Sequence, residues 1–201
     1  REAARAARAR LFTAVSALIK GLVLKVGWVV ALTAGVLAAA ALLTYSPADP
    51  GFSVTGTKLP ANLCGLAGAW FADAGFWFFG RSVWWVPAAL IVFGLVSLKN
   101  ALVSPQRARF APVTATCGFI LLLFLSSGLE TLQLGYLGKG IPMGAGGLVG
   151  QYVASNITPW LGVWGTTVIL VVLTACAAAM AFCFSWFKLA EELGAAMDAF
   201  W

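Results

Sequence analysis

Four stretches of this chain are long enough, apolar enough and free enough of acidic residues to be buried in hydrocarbon, and this constrains the fold more than any motif does. A bilayer core of about 30 Å takes roughly 20 apolar residues as helix. Residues 22–45, 82–103, 112–129 and 160–187 meet that requirement. Lys25 lies close enough to the start of the first run to snorkel toward headgroups, and Trp84-Trp85 open the second where aromatic rings favour an interface. Glu130 and Lys188 close the third and fourth. The chain is 61% hydrophobic, 10% charged and without histidine, whereas soluble domains run to roughly half apolar and a quarter charged.

A fifth stretch, Asn62 to Gly80, is apolar but carries Asp73 and four glycines, and charge asymmetry decides its status. With four spans, Arg1, Arg5, Arg8, Arg10, Lys20, Lys25, Lys99, Arg107, Arg109 and Lys188 fall on one side and Lys58, Arg81 and Lys139 on the other, ten against three. A fifth crossing would make it eight against five. Basic residues concentrate on the cytoplasmic side, so four spans are favoured. The expected fold is an all-α membrane protein with four transmembrane helices and both termini cytoplasmic. Residues 62–80 then form an interfacial or re-entrant outer helix. Residues 1–21 are a basic cytoplasmic tail or the start of the first helix, 22–187 the membrane domain, and 188–201 the start of a cytoplasmic linker that continues the fourth helix. The outer loops, 46–81 and 130–159, are longer than a simple connection needs, which directs attention to that face.

The glycine-rich segment from Gly135 to Gly150 invites comparison with a phosphate-binding loop, and its spacing fails. Gln133 stands where the first glycine of G-x-x-x-x-G-K-[ST] belongs and Gly140 where the hydroxyl belongs. The dinucleotide pattern G-x-G-x-x-G fails at Met143 and at Val149. The segment is expected as a packing or docking element on the outer face, with a re-entrant pore lining as the alternative. Catalytic chemistry has no support: there is no histidine to activate Ser46, Ser126 or Ser127, no lysine at membrane depth, and no intramembrane aspartate pair. Cys64, Cys117, Cys176 and Cys183 are isolated and read as packing residues, so no metal site and no cofactor are expected in this segment. The spans lack the buried ionisable groups that ion and proton transport use.

With the frame in place, three motifs fall in order. Tyr45-Ser46-Pro47-Ala48-Asp49-Pro50 directly after the first span resembles the SYSPxDP signature of the FtsK/SpoIIIE family of bacterial DNA translocases. Asn62, Gly65, Gly68, Trp70 and Asp73 lie in a segment similar to that family's N-x-x-G-x-x-G-A-x-x-A-D element, and Gly146, Gly147 and Gly150 match its G-G-x-x-G element before the fourth helix. Phe52-Ser53 stands where a Ser-Trp pair is common in the family.

The resemblance implies a membrane anchor cut from a larger ATP-dependent translocase of double-stranded DNA, located in the bacterial cytoplasmic membrane at the division septum. It implies division-site membrane proteins as partners and a hexameric homo-oligomer. ATP and magnesium belong to a cytoplasmic motor absent from these residues, and DNA is expected to stay on the cytoplasmic side. Besides lipid, self-association is expected through small residues such as Gly27 and Gly35 in the first span, which equally suit packing within one subunit. A small channel or transporter subunit is the alternative reading.

Overall fold

The computed structural model describes residues 26–56, 59–103 and 112–200, with Phe12 and Val15. Apart from Phe12 and Val15, the basic tail lies outside the described residues, as does the part of the inner loop that carries Arg107 and Arg109. Among the described residues four helical runs are long and apolar enough to cross a membrane: Val26–Leu43, Gly65–Lys99, Val113–Gln133 and Gly147–Phe182. Helix α1 is Val26–Leu43; α2 (Gly65–Phe79) leads through a 3₁₀ turn, Gly80–Trp84, into α3 (Trp85–Val103); α4 is Pro112–Gln133, α5 Gly147–Phe182 and α6 Trp186–Phe200.

Local chemistry sets these boundaries. Pro112 occupies the first position of α4, where its missing N–H costs nothing. Gly80, at φ 57°, ends α2 in a backbone conformation that side chains resist, and turns the chain into α3. Within α5, Pro159 removes a helical donor and Gly162 (φ 67°, ψ 171°) breaks the helix, so residues 147–161 and 163–182 point in different directions. Helix α5 ends at Phe182, where Cys183 takes a left-handed conformation and its N–H bonds Ala179 O. A separate amphipathic helix α6 therefore follows, where the sequence suggested one continuous helix. The indole N–H of Trp186 reaches back 3.0 Å to Ala175 O and folds the start of α6 against the end of α5.

The crossing helices alternate in direction. Gly35 of α1 lies against Ile91 of α3, and Gly94 of α3 against Leu32 of α1; a Cβ on either glycine would come within 2.8 Å of the facing side chain. Gly118 of α4 meets Met180 and Ala181 of α5, and Gly128 meets Val153 and Leu170, which sets α4 antiparallel to residues 163–182. In hydrocarbon, where burial of apolar area drives little, such close backbone approach is the chief source of cohesion. Gly35 is thus used inside one subunit, while Gly27 faces open space among the described residues.

The ends of α1 and α4 and the starts of α3 and residues 163–182 share one face, and apart from α6 the described non-crossing structure gathers there. Helix α2, about 22 Å long, begins beside Leu37 and Ala41 of α1 and ends beside Ser127 of α4 and Ala145, so both its ends lie at this face. It runs laterally over the bundle. The buried cluster of Leu42, Ala72, Phe76 and Val83, flanked by Tyr45, Phe79, Trp84, Val86 and Ile141, also sits here. A hydrophobic core thus lies in the cap as well as at the helix contacts of Leu122 and Leu170, while Val30, Val36, Val168 and Val172 of the spans stay exposed, as lipid-facing residues do.

Candidate functional site

The cap is wired by two carboxylates. Asp49 follows a turn in which its N–H bonds Ser46 O at 3.1 Å and Ser46 Oγ accepts Ala48 N–H. Its side chain then accepts the backbone N–H groups of Ala61 (2.9 Å) and Asn62 (3.1 Å). Asn62, 4% exposed, passes the connection on: its Nδ2 donates to Ala41 O at 2.8 Å on the unpaired end of α1, and its Oδ1 accepts Cys64 N–H at 3.0 Å just before α2. One asparagine thus satisfies the end of one helix and the entry to the next, groups that would otherwise be buried unpaired.

Asp73, 3% exposed, is the second node. It accepts the Ser53 N–H, the Ser53 hydroxyl at 3.0 Å and the Tyr45 hydroxyl at 3.2 Å. Burial, then the adjacent Asp73 charge and the hydrogen bond to it, push the Tyr45 hydroxyl well above its ordinary pKa and keep it a neutral donor. The Tyr45 ring rests on Phe76, centroids 4.8 Å apart. Gly51 passes so near that a Cβ there would lie 2.8 Å from Asp73 Oδ2. Phe52 packs on Trp77 and Phe78. Pro50 is buried beneath the turn and Pro47 is exposed on it.

The glycine-rich segment forms the second half of the cap. A Cβ on Gly146 or on Gly150 would strike Ser127 O and Thr131 Oγ1 of α4, and one on Gly147 would come 2.5 Å from Gly80 N. Arg81 N–H donates to Ala145 O at 2.7 Å, and Arg81 Nε to Leu137 O at 3.0 Å. These glycines let backbone touch backbone. Beneath them a buried polar seam joins α4 to the 3₁₀ turn: Ser82 N–H to Glu130 Oε2 (3.0 Å), Ser82 Oγ to Ser126 Oγ (2.7 Å), and Ser127 Oγ to Phe79 O (3.1 Å). With its carboxylate satisfied by Ser82, Glu130 stays helical, and α4 runs on to Gln133.

Of the residues singled out in sequence, Ser46, Asp49 and Asn62 gather around one carboxylate and Tyr45 around the other, Asp73, while Gly146, Gly147 and Gly150 line the contact with α4 and the 3₁₀ turn. Gly68 packs its first-turn backbone on Ala41, where a Cβ would lie 3.3 Å away, while Gly65 (φ 64°) meets nothing within 4 Å. Trp70 is half exposed on the outer side of α2. Sequence reasoning named Ser53, Gly80 and Glu130 without a partner and passed over Gly51 and Ser82, because the groups they meet lie far along the chain. Among the described residues no three His, Cys, Asp or Glu side chains gather as a metal site. Cys117, Cys176 and Cys183 are exposed on the bundle and Cys64 is half buried. The groove between α3, α4 and α5, about 260 Å³, is lined by apolar side chains such as Ala89, Val92, Phe93 and Phe119, with Thr116 the polar residue among them.

Over residues 20–194 the chain matches the family described as the 4TM region of DNA translocase FtsK/SpoIIIE. It is 32% identical to DNA translocase FtsK 2 of Ralstonia nicotianae over 87% of this chain and 23% of that protein. It is 31% identical to DNA translocase FtsK 1 of Neisseria meningitidis serogroup B, over 85% of this chain and 21% of the relative. It is also 31% identical to DNA translocase FtsK of Vibrio parahaemolyticus, over 83% and 16%. The chain spans about a fifth of the length of these relatives, and no solved structure matches it. Four membrane-length helical runs, a cap wired by the Tyr45–Asp49 and Asn62–Asp73 motifs, and this similarity together make the chain a member of the FtsK/SpoIIIE family, corresponding to its four-span membrane region.

Proposed function

We propose that this domain anchors an ATP-driven translocase of double-stranded DNA in the cytoplasmic membrane. Its cap faces outward, where it meets division-site membrane proteins at the septum, and its copies associate so that the motor works as a ring. One observation carries the reading: the buried residues Asp49, Asn62, Asp73, Ser82, Ser126 and Ser127 of the cap spend their polar groups on side chains and backbone of the same chain, which cross-braces the described residues of the cap into a platform. Such a platform suits holding and presenting, and catalysis falls to other parts of a longer protein. Both ends of the membrane domain leave on the face opposite the cap, which the basic residues mark as cytoplasmic, where DNA and ATP are found.

The test exchanges residues 20–194 of the full-length protein for an unrelated four-span segment with cytoplasmic termini. Loss of septal fluorescence and long cells that retain membrane-bound motor are expected. Normal septal placement and cell length in the exchanged strain refute the targeting role.

A further inference from the structure

The two long helical runs carry one local design twice. With Gly65 set on Gly147, the residues through Gly80 and Gly162 stay in register at a constant separation of 82 positions, and Gly65/Gly147, Leu66/Leu148, Gly68/Gly150, Ala72/Ala154 and Gly80/Gly162 are identical. The backbone repeats with the letters. Cys64 (φ −90°, ψ 16°) and Gly146 (φ −95°, ψ 3°) precede glycines that both have φ 64°. Gly65 N–H bonds Asn62 O and Gly147 N–H bonds Gly144 O; Gly68 N–H bonds Cys64 O and Gly150 N–H bonds Gly146 O. Ala72 and Ala154 are both buried, and each stretch ends on a positive-φ glycine, at 57° and 67°.

Each stretch also presses its first turn on the span before it, Gly68 on Ala41 of α1 and Gly150 on Ser127 of α4, and each leads into another span. The domain is two tandem units of span, lateral helix and span.

Where the first unit ends and the second begins, the contact is intimate: Arg81 N–H bonds Ala145 O, and a Cβ on Gly147 would come 2.6 Å from Phe78 O. Among the described residues the matching surfaces at the other two ends are bare. Gly162, equivalent to Gly80, and Gly65, equivalent to Gly147, meet nothing within 4 Å among the described residues. Leu63, equivalent to Ala145, is 78% exposed, and Trp160, equivalent to Phe78, is 87% exposed.

We propose that the end of the second unit in one copy docks on the start of the first unit in the next, with Val163 against Leu63 as Arg81 lies against Ala145. The two surfaces differ, so the contact is heterologous and propagates head to tail, closing into a ring when the rotation per copy allows. The proposal rests on the self-association put forward above and supplies its interface.

The test uses the full-length protein in bacterial membranes with Cys64, Cys117, Cys176 and Cys183 replaced by alanine. Leu63→Cys and Val163→Cys are introduced into two differently tagged chains that are co-expressed and oxidised. A backbone bond of the Arg81–Ala145 kind holds Cα atoms about 5–6 Å apart, within disulfide range. Both sites are exposed, so the substitutions disturb no core.

The expected result is a cross-link only between the two unlike chains, and a ladder of dimers, trimers and larger species when one chain carries both cysteines. Absence of the mixed cross-link, or like chains joining as readily as unlike ones, overturns the interface. Mass in nanodiscs, measured in parallel, then separates the two claims: an oligomer without the cross-link refutes this interface alone, and a monomer refutes self-association as well.

Discussion

Removing the carboxylate of Asp73 is the sharpest perturbation of the cap. Its three hydrogen bonds, from Ser53 N, Ser53 Oγ and Tyr45 Oη, are charge-assisted, each worth about 1.5–3 kcal/mol. Against that stands the cost of keeping a carboxylate buried, several kcal/mol, which alanine relieves. Asp73→Ala therefore costs about 3 kcal/mol net, or roughly 6–12 °C in melting temperature for a domain of this size. Asp73→Asn keeps an acceptor for Ser53 N–H and turns its amide toward two hydroxyls able to accept, losing only the charge assistance, about 1–2 kcal/mol. Tyr45→Phe removes a single bond while leaving the ring on Phe76, about 1.5 kcal/mol. Thermal unfolding in a mild detergent measures all four members of the Tyr45→Phe, Asp73→Ala cycle. Residues bonded to each other couple, and about 1 kcal/mol of non-additivity is expected. Effects that add to within about 0.3 kcal/mol refute the claim that this bond ties the first loop to α2.

Other outcomes follow from the same geometry. Gly150→Ala drives a Cβ into the Ser127 carbonyl and is expected to cost about 3 kcal/mol, the upper end for overpacking a core, whereas Gly135→Ala, with nothing within 4 Å, leaves the melting temperature unchanged. Gly35→Leu lowers thermal stability by forcing α1 from α3, and Gly27→Leu does not; equal effects of the two contradict the packing described. Because the Tyr45 hydroxyl has a raised folded-state pKa, its unfolded form ionises first: its contribution is complete below about pH 10 and declines as pH rises above that value. The melting temperature of the wild type is expected to fall more steeply in that alkaline range than that of Tyr45→Phe, and parallel curves exclude the assignment. Ser82→Ala leaves the Ser82 N–H bond to Glu130 in place but breaks the link to Ser126, for about 1 kcal/mol, read by the same unfolding assay.

The spans were legible because length and hydropathy are local properties. Three of the four apolar runs coincide closely with α1, α3 and α4, and the charge count rightly kept α2 from being a fifth crossing. The start of α5 was hidden because Gln151, Ser155 and Asn156 dilute the hydropathy of a helix lying across the bundle, so the apolar signal begins only near Trp160. The break between α5 and α6 rests on Cys183 in a conformation that no residue letter there announces. Asp49 and Asp73 stood out in sequence, but their roles depend on partners 12 to 28 residues away along the chain. The spacing of the glycines in the 135–150 segment argued against a nucleotide loop, but only the fold shows that they admit Ser127 O and Gly80. The tandem repeat escaped notice because its identities are sparse until the backbone angles are set beside them.

The central claim is that the cap faces outward and both ends of the domain face the cytoplasm. Single cysteines at Lys139 and at Arg107, in the chain with its native cysteines replaced, probe each side with a membrane-impermeant maleimide on intact spheroplasts. The expected result is labelling at Lys139 without lysis and at Arg107 only after it. Labelling at Arg107 in intact spheroplasts, with Lys139 protected until lysis, inverts the domain and contradicts the account.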